Sequence, residues 1–169
     1  GRIGTRVIKL LENFDVKSVF VNDIIDLQER IGNIDLIRVP KKQLFEESDL
    51  VSLHVPLTNK TKNMVDKHVL NLMKKDAILI NTSRGGIVNE DNLYEEMQKG
   101  RLGGAALDVF ELEPYYGRLT DIPNITLTSH MGSMSYDCRE RMEIEASEEV
   151  VRYKKNLKLT NAVPDYEYE

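Results

Sequence analysis

The sequence predicts an α/β protein, a doubly wound parallel sheet with helices on both faces. Three observations carry that expectation. Short apolar runs alternate with amphipathic stretches along the chain, the pattern of repeated strand–helix units. The runs themselves are almost continuously apolar, as strands covered on both faces must be; Ala77-Ile78-Leu79-Ile80 is the clearest. A glycine turn, Gly1-Arg2-Ile3-Gly4, opens directly into helical spacing with no strand feeding it, so the first strand of the sheet is expected to be missing.

The elements follow in order. Val7, Leu10 and Leu11 recur at helical spacing, placing a helix at or beside Gly4. With a strand and one more glycine ahead of it, the turn would close a G-x-G-x-x-G motif of Rossmann type, whose backbone N–H groups and helix N-terminus hold a pyrophosphate. Ser18 to Val21 is a β-branched and aromatic run closed by Asn22-Asp23. An acid about 20 residues past such glycines accepts the adenosine ribose hydroxyls; Asp23 follows Gly4 by 23 − 4 = 19 positions. A turn-starting aspartate is the plain alternative, and spacing plus strand context favours the ribose. Ile24 and Ile25 follow where an arginine would suit a 2′-phosphate, which points to NAD over NADP.

Leu36 to Val39 reads as a short strand, Lys41 to Ser48 as a short helix, and Leu50 to Val55 as a buried strand ended by Pro56-Leu57-Thr58. His54, inside that run, reads as a satisfied core histidine. Asp66 to Lys75 forms an amphipathic helix around Val69, Leu70, Leu72 and Met73, its lysines at the C-terminal end where the helix dipole favours them. His68 lies on its surface. Asn89 caps a helix carrying Leu93 and Met97 and ending at Gly100. Gly103 to Leu107 is a small-residue strand with Asp108 at its end. Ile125 to Thr128 is the last strand, and a long helix from Ser135 to about Asn156 offers Met142, Ile144, Ala146 and Val150 to the sheet.

Composition bounds the function. The 169 residues suffice for one ordinary domain with a proper core, 41% apolar and 30% charged. A net charge of -5 with no basic stripe argues against nucleic acid as the main partner. The single cysteine, Cys138, makes no internal disulfide and fits a reducing cytoplasm. No apolar run is long enough to cross a bilayer, so no membrane partner is expected.

Chemistry collects at three predicted strand ends. Arg84 offers a planar fork matched to a carboxylate or phosphate, or it caps its loop and pairs with a surface acid. Asp108, with Glu113 close behind, and His130 complete the set, and a histidine beside a carboxylate moves protons near neutral pH. No nucleophile elbow of the G-x-S-x-G type is present, and the three histidines lie on separate elements, which gives no metal site.

These residues resemble the D-isomer-specific 2-hydroxyacid dehydrogenases, which include 3-phosphoglycerate, D-lactate, glycerate and hydroxypyruvate enzymes. The resemblance rests on Gly1-Arg2-Ile3-Gly4, on His54 to Thr58, on Asn81-Thr82-Ser83-Arg84-Gly85, on Ala106 to Pro114, and on Ser129 to Ser133. It implies that Arg84 binds the substrate carboxylate, that His130 is the acid/base, and that Glu113 pairs with it. It implies that Asp108 meets the nicotinamide side and Asp23 the adenosine ribose. Arg2 and Ile3, with Gly1 and Gly4, would cradle the pyrophosphate. Val55, Thr82, His130, Met131, Gly132 and Ser133 would line the rest of the NAD groove.

Residues 1–169 are then expected to be an NAD-binding domain truncated at its N-terminus, with the substrate domain absent. The full-length protein would be a homodimer acting on a 2-hydroxy/2-oxo acid pair, 3-phosphoglycerate among the options. An NAD-sensing co-regulator of the same fold, without turnover, stands as the alternative, and so does a fragment with no activity of its own.

Overall fold

The computed structural model describes residues 1–25 and 36–163. Helix α1 spans Arg2–Leu11, strand β1 Phe20–Val21, β2 Ile37–Arg38, α2 Lys41–Glu47, β3 Leu50–Leu53, α3 Lys67–Leu72, β4 Ile78–Asn81, α4 Glu90–Gln98, β5 Gly104–Leu107, β6 Ile125–Leu127 and α5 Tyr136–Lys154; a 3₁₀ turn covers Arg118–Asp121. Strands β3, β4, β5 and β6 pair in that order, all parallel, with Leu50 beside Ile78, Ile78 beside Gly104 and Ala105 beside Ile125. Strands β1 and β2 form a separate parallel pair, Phe20 beside Ile37.

Alternation along the strands decides which face is covered. Val51, Leu53, Leu79, Ala105 and Leu107 point to one face. There they bury with Phe45 of α2, Leu70 of α3, and Leu93 and Met97 of α4. His54, one position past Leu53, is directed to the opposite face and meets Gly4 of α1: a Cβ on that glycine would lie 3.3 Å from the His54 Cβ. A side chain at position 4 would make His54 give way by a few tenths of an ångström.

Asn89 caps α4 as the sequence predicts, its side chain accepting from Asn92 N–H at 2.9 Å. In α3 the Asp66 carboxylate accepts from Val69 N–H at 2.9 Å. Helix α3 stops at Leu72, however, so Lys74 lies beyond its end and instead pairs with Asp49 at 2.7 Å.

Helix α1 forms where the spacing of Val7, Leu10 and Leu11 places it, and Ile8 is the residue it buries. One expectation about packing needs correction. Helix α5 buries no residue at all: Met142, Ile144 and Val150, expected against the sheet, are each more than half exposed, and Ala146 is exposed too. Helical spacing fixes which side chains share a stripe; it leaves open what that stripe meets.

Candidate active site

Parallel strands put all their carboxyl ends on one edge, and the chemistry-bearing residues follow from there. Asp23 comes after β1, His54 and Val55 after β3, Thr82 and Arg84 after β4, Asp108 after β5, and His130 after β6.

The turn that carries Arg84 is built by Asn81, a 1% exposed residue at the end of β4. Its Nδ2 donates to the Arg84 carbonyl at 2.9 Å, and its Oδ1 accepts from Ser83 N–H at 3.1 Å and from the Ser83 hydroxyl at 2.7 Å. Its backbone carbonyl accepts from Asp108 N–H at 3.0 Å, joining this turn to the next strand. The Arg84 guanidinium is exposed and donates to the Ser83 carbonyl at 2.6 Å. Among the described residues it pairs with no carboxylate, so its remaining N–H groups are available to an anion.

Gly85 brings that turn against the acidic loop. A Cβ there would fall 1.9 Å from the Phe110 carbonyl oxygen, so only glycine lets the two backbones touch. The loop is fastened twice more: Glu90 accepts from Glu111 N–H at 2.7 Å, and Glu113 Oε1 accepts from Phe110 N–H at 3.0 Å. Burial pushes the Glu90 carboxyl up, helped by the neighbouring Glu111, Asp91 and Glu113 charges and opposed by the bond from Glu111.

Glu113 Oε2 lies 2.9 Å from His130 Nδ1. The Phe110 N–H, then the His130 ring, hold the Glu113 carboxyl below its usual range, so it is ionised at neutral pH. An ionised carboxylate only accepts; Nδ1 therefore carries the hydrogen and Nε2 is left to exchange a proton with a substrate. Both side chains are partly exposed, open to a small molecule.

The His130 backbone is left-handed, with φ of 54°. A residue with a side chain is there at a cost of about 1–2 kcal/mol, so neighbouring bonds must fix it. Asp108 supplies them. Its backbone carbonyl accepts from His130 N–H at 2.8 Å. Its carboxylate accepts from Thr128 Oγ1 at 2.5 Å, Met131 N–H at 2.8 Å and Gly132 N–H at 3.3 Å. Burial works against ionisation of Asp108, but those three bonds and the nearby His130 outweigh it and hold the carboxyl low.

Strand β1, in its separate pair, brings Asp23 to the glycine turn. The Gly1 nitrogen lies 3.5 Å from Asp23 Oδ2, so the glycine turn and the ribose candidate are neighbours. Gly4 presses on His54, whereas a Cβ on Gly1 would meet only the His54 carbonyl, at 4.0 Å, leaving the backbone there open to a ligand. Arg2 and Ile3 line an open cavity of about 600 Å³ with Gly1, Thr5 and Arg6. Arg6 lies one helical turn past Arg2, on the same side of α1. His54 is half-buried, 2.9 Å from Ser52 Oγ through Nε2, and burial lowers its pKa, as suits a packed core histidine.

Comparison with known proteins gives one family. Residues 1–132 match the D-isomer specific 2-hydroxyacid dehydrogenase family, NAD binding domain. A glyoxylate reductase of Korarchaeum cryptofilum is 38% identical over 159 residues, covering 92% of this chain and 47% of that protein. The D-3-phosphoglycerate dehydrogenase of Bacillus subtilis is 34% identical over 164 residues, covering 96% of this chain and 31% of that protein. Among solved structures, D-lactate dehydrogenase from Aquifex aeolicus complexed with NAD and lactic acid superposes with a TM-score of 0.83 at 30% identity, over 92% of this chain and 51% of that one. The chain thus spans about half, or less, of the proteins it matches.

Proposed function

Because the chain belongs to the D-isomer specific 2-hydroxyacid dehydrogenase family, as an NAD-binding domain of Rossmann type, we propose that the complete protein transfers hydride between NAD(H) and a 2-hydroxy/2-oxo acid. The observation that carries the proposal is the Glu113–His130 contact of 2.9 Å, on the same sheet edge as an exposed Arg84 that pairs with no carboxylate among the described residues. That pairing of an anion fork with a proton donor suits a substrate bearing a carboxylate beside a carbonyl.

Arg84 would hold the substrate carboxylate and set the carbonyl before His130. In reduction, His130 Nε2 gives its proton to the forming alkoxide; in oxidation, neutral Nε2 takes the hydroxyl proton. Glu113 orients the ring through Nδ1. Bound NADH supplies the hydride. Gly1, Arg2, Ile3 and Gly4 would hold its pyrophosphate and Asp23 its adenosine ribose, with Val55, Thr82, Asp108 and the segment His130 to Ser133 lining the remainder.

Glyoxylate, from the name of the K. cryptofilum relative, is the first substrate to try, and the 3-phosphoglycerate pair the second. The proposal includes a substrate domain beyond residues 1–169 that supplies the other wall of the cleft. It also includes a cytoplasmic homodimer; no described helix is long and apolar enough to cross a membrane. The test is NADH oxidation by the complete protein over a panel of 2-oxo acids. Turnover of any of them supports dehydrogenase activity; tight NAD binding with no turnover across the panel would favour an NAD-sensing module instead.

A further inference from the structure

Thr128 directly follows β6 and belongs to none of the catalytic or cofactor roles above, yet its hydroxyl makes the shortest bond to the Asp108 carboxylate, 2.5 Å. An ionised carboxylate accepts and does not donate, so the Thr128 hydroxyl must be the donor. Asp108 is one of three buried polar side chains among the described residues, with Asn81 and Glu96. Through backbone carbonyl and carboxylate it binds Thr128, His130, Met131 and Gly132, four residues of one five-residue stretch. The residue at the centre of that stretch is His130, whose φ of 54° is left-handed.

We propose that Thr128 and Asp108 act as a positioning pair for His130, holding its strained backbone so that the imidazole meets both Glu113 and the substrate. This rests on the acid/base role proposed for His130. Asp108 supplies the three acceptors that fix the turn; Thr128 fixes Asp108, whose Oδ1 is shared between the Thr128 hydroxyl and Met131 N–H. Without the hydroxyl, the carboxylate keeps its two amide bonds but loses the tie to β6. The bonds formed to an ionised carboxylate also explain why Asp108 stays charged although buried.

The test uses the complete protein with Thr128→Val, which removes the donor at similar size, and Thr128→Ser, which keeps it. Amide hydrogen exchange over residues 130–132 and steady-state 2-oxo acid reduction are measured for both. Thr128→Val is expected to exchange faster in that segment and to lose kcat by roughly 10- to 100-fold, the scale of a small misplacement of a reacting group. The KM for the oxo acid, set by Arg84, should move little. Thr128→Ser should restore both readouts. A Thr128→Val protein with unaltered exchange and unaltered kcat overturns the proposal, as does a loss that Thr128→Ser fails to rescue. Should the parent protein reduce no 2-oxo acid, the dehydrogenase reading fails, and the exchange difference alone decides whether the pair holds the His130 turn.

Discussion

At His130 a side chain occupies a backbone conformation that suits glycine, and its Nδ1 meets Glu113 at 2.9 Å. His130→Gln removes the proposed proton donor and should lower kcat roughly 10²–10⁴-fold with NAD affinity little changed, checked by kinetics and calorimetry on the complete protein. Glu113 carries a pH prediction of its own. Its folded pKa lies below the ordinary 4.5, so the ionised contact is fully present above that value and is lost as pH falls through the depressed one. Carboxyl ¹³C NMR should place its midpoint under 4.5 in the parent and higher in His130→Gln, where one of the two stabilising bonds is gone. A midpoint unmoved by that substitution would remove the ring as a cause. Asn81→Asp tests the neighbouring turn: it exchanges a buried donor for an acceptor facing the Arg84 carbonyl, costing about 1–3 kcal/mol. The KM for the oxo acid should rise as Arg84 shifts.

Elements become a site only where they touch, and the closest touch is Gly85 on Phe110. Gly85→Ala would drive a methyl into a carbonyl, and neither backbone can yield without moving Arg84 or Glu113. Overpacking of this kind costs about 1–3 kcal/mol, which for a chain of this size lowers Tm by about 2–4 °C per kcal/mol. Differential scanning calorimetry checks it; an unshifted Tm would mean that the two loops separate freely. The strand ends themselves could be read from sequence, because an apolar run that breaks into Asn81 or Asp108 marks both the strand and its functional edge. The bonds between loops were less legible. Asn81, Glu90 and Thr128 are ordinary polar residues until the parallel register sets β4 beside β5 and β5 beside β6. Helix α5 departs from expectation for a related reason: its apolar side chains share a helix, but periodicity does not name the surface they meet.

Across the whole molecule, apolar side chains and proposed chemistry are both left open. Leu50 and Ile78 are neighbours at the start of the sheet, 53% and 41% exposed, and α5 adds Met142, Ile144, Val150 and Val151, each at least half exposed. Exposed apolar surface on this scale marks a place that another surface covers. Arg84, Glu113 and His130 are likewise exposed. Hydride transfer to a carbonyl needs water excluded and the substrate held from both sides. Residues 1–169 expressed by themselves are therefore expected to show no turnover of any 2-oxo acid, and to self-associate through the open apolar surface. In the complete protein the same side chains should be protected. The two states can be compared by light scattering, by NADH oxidation, and by hydrogen exchange over α5. Lower exchange in α5 of the complete protein, with turnover present only there, is the expected result. A monomeric 169-residue product with full activity would mean that these strand ends form a finished active site without a second wall.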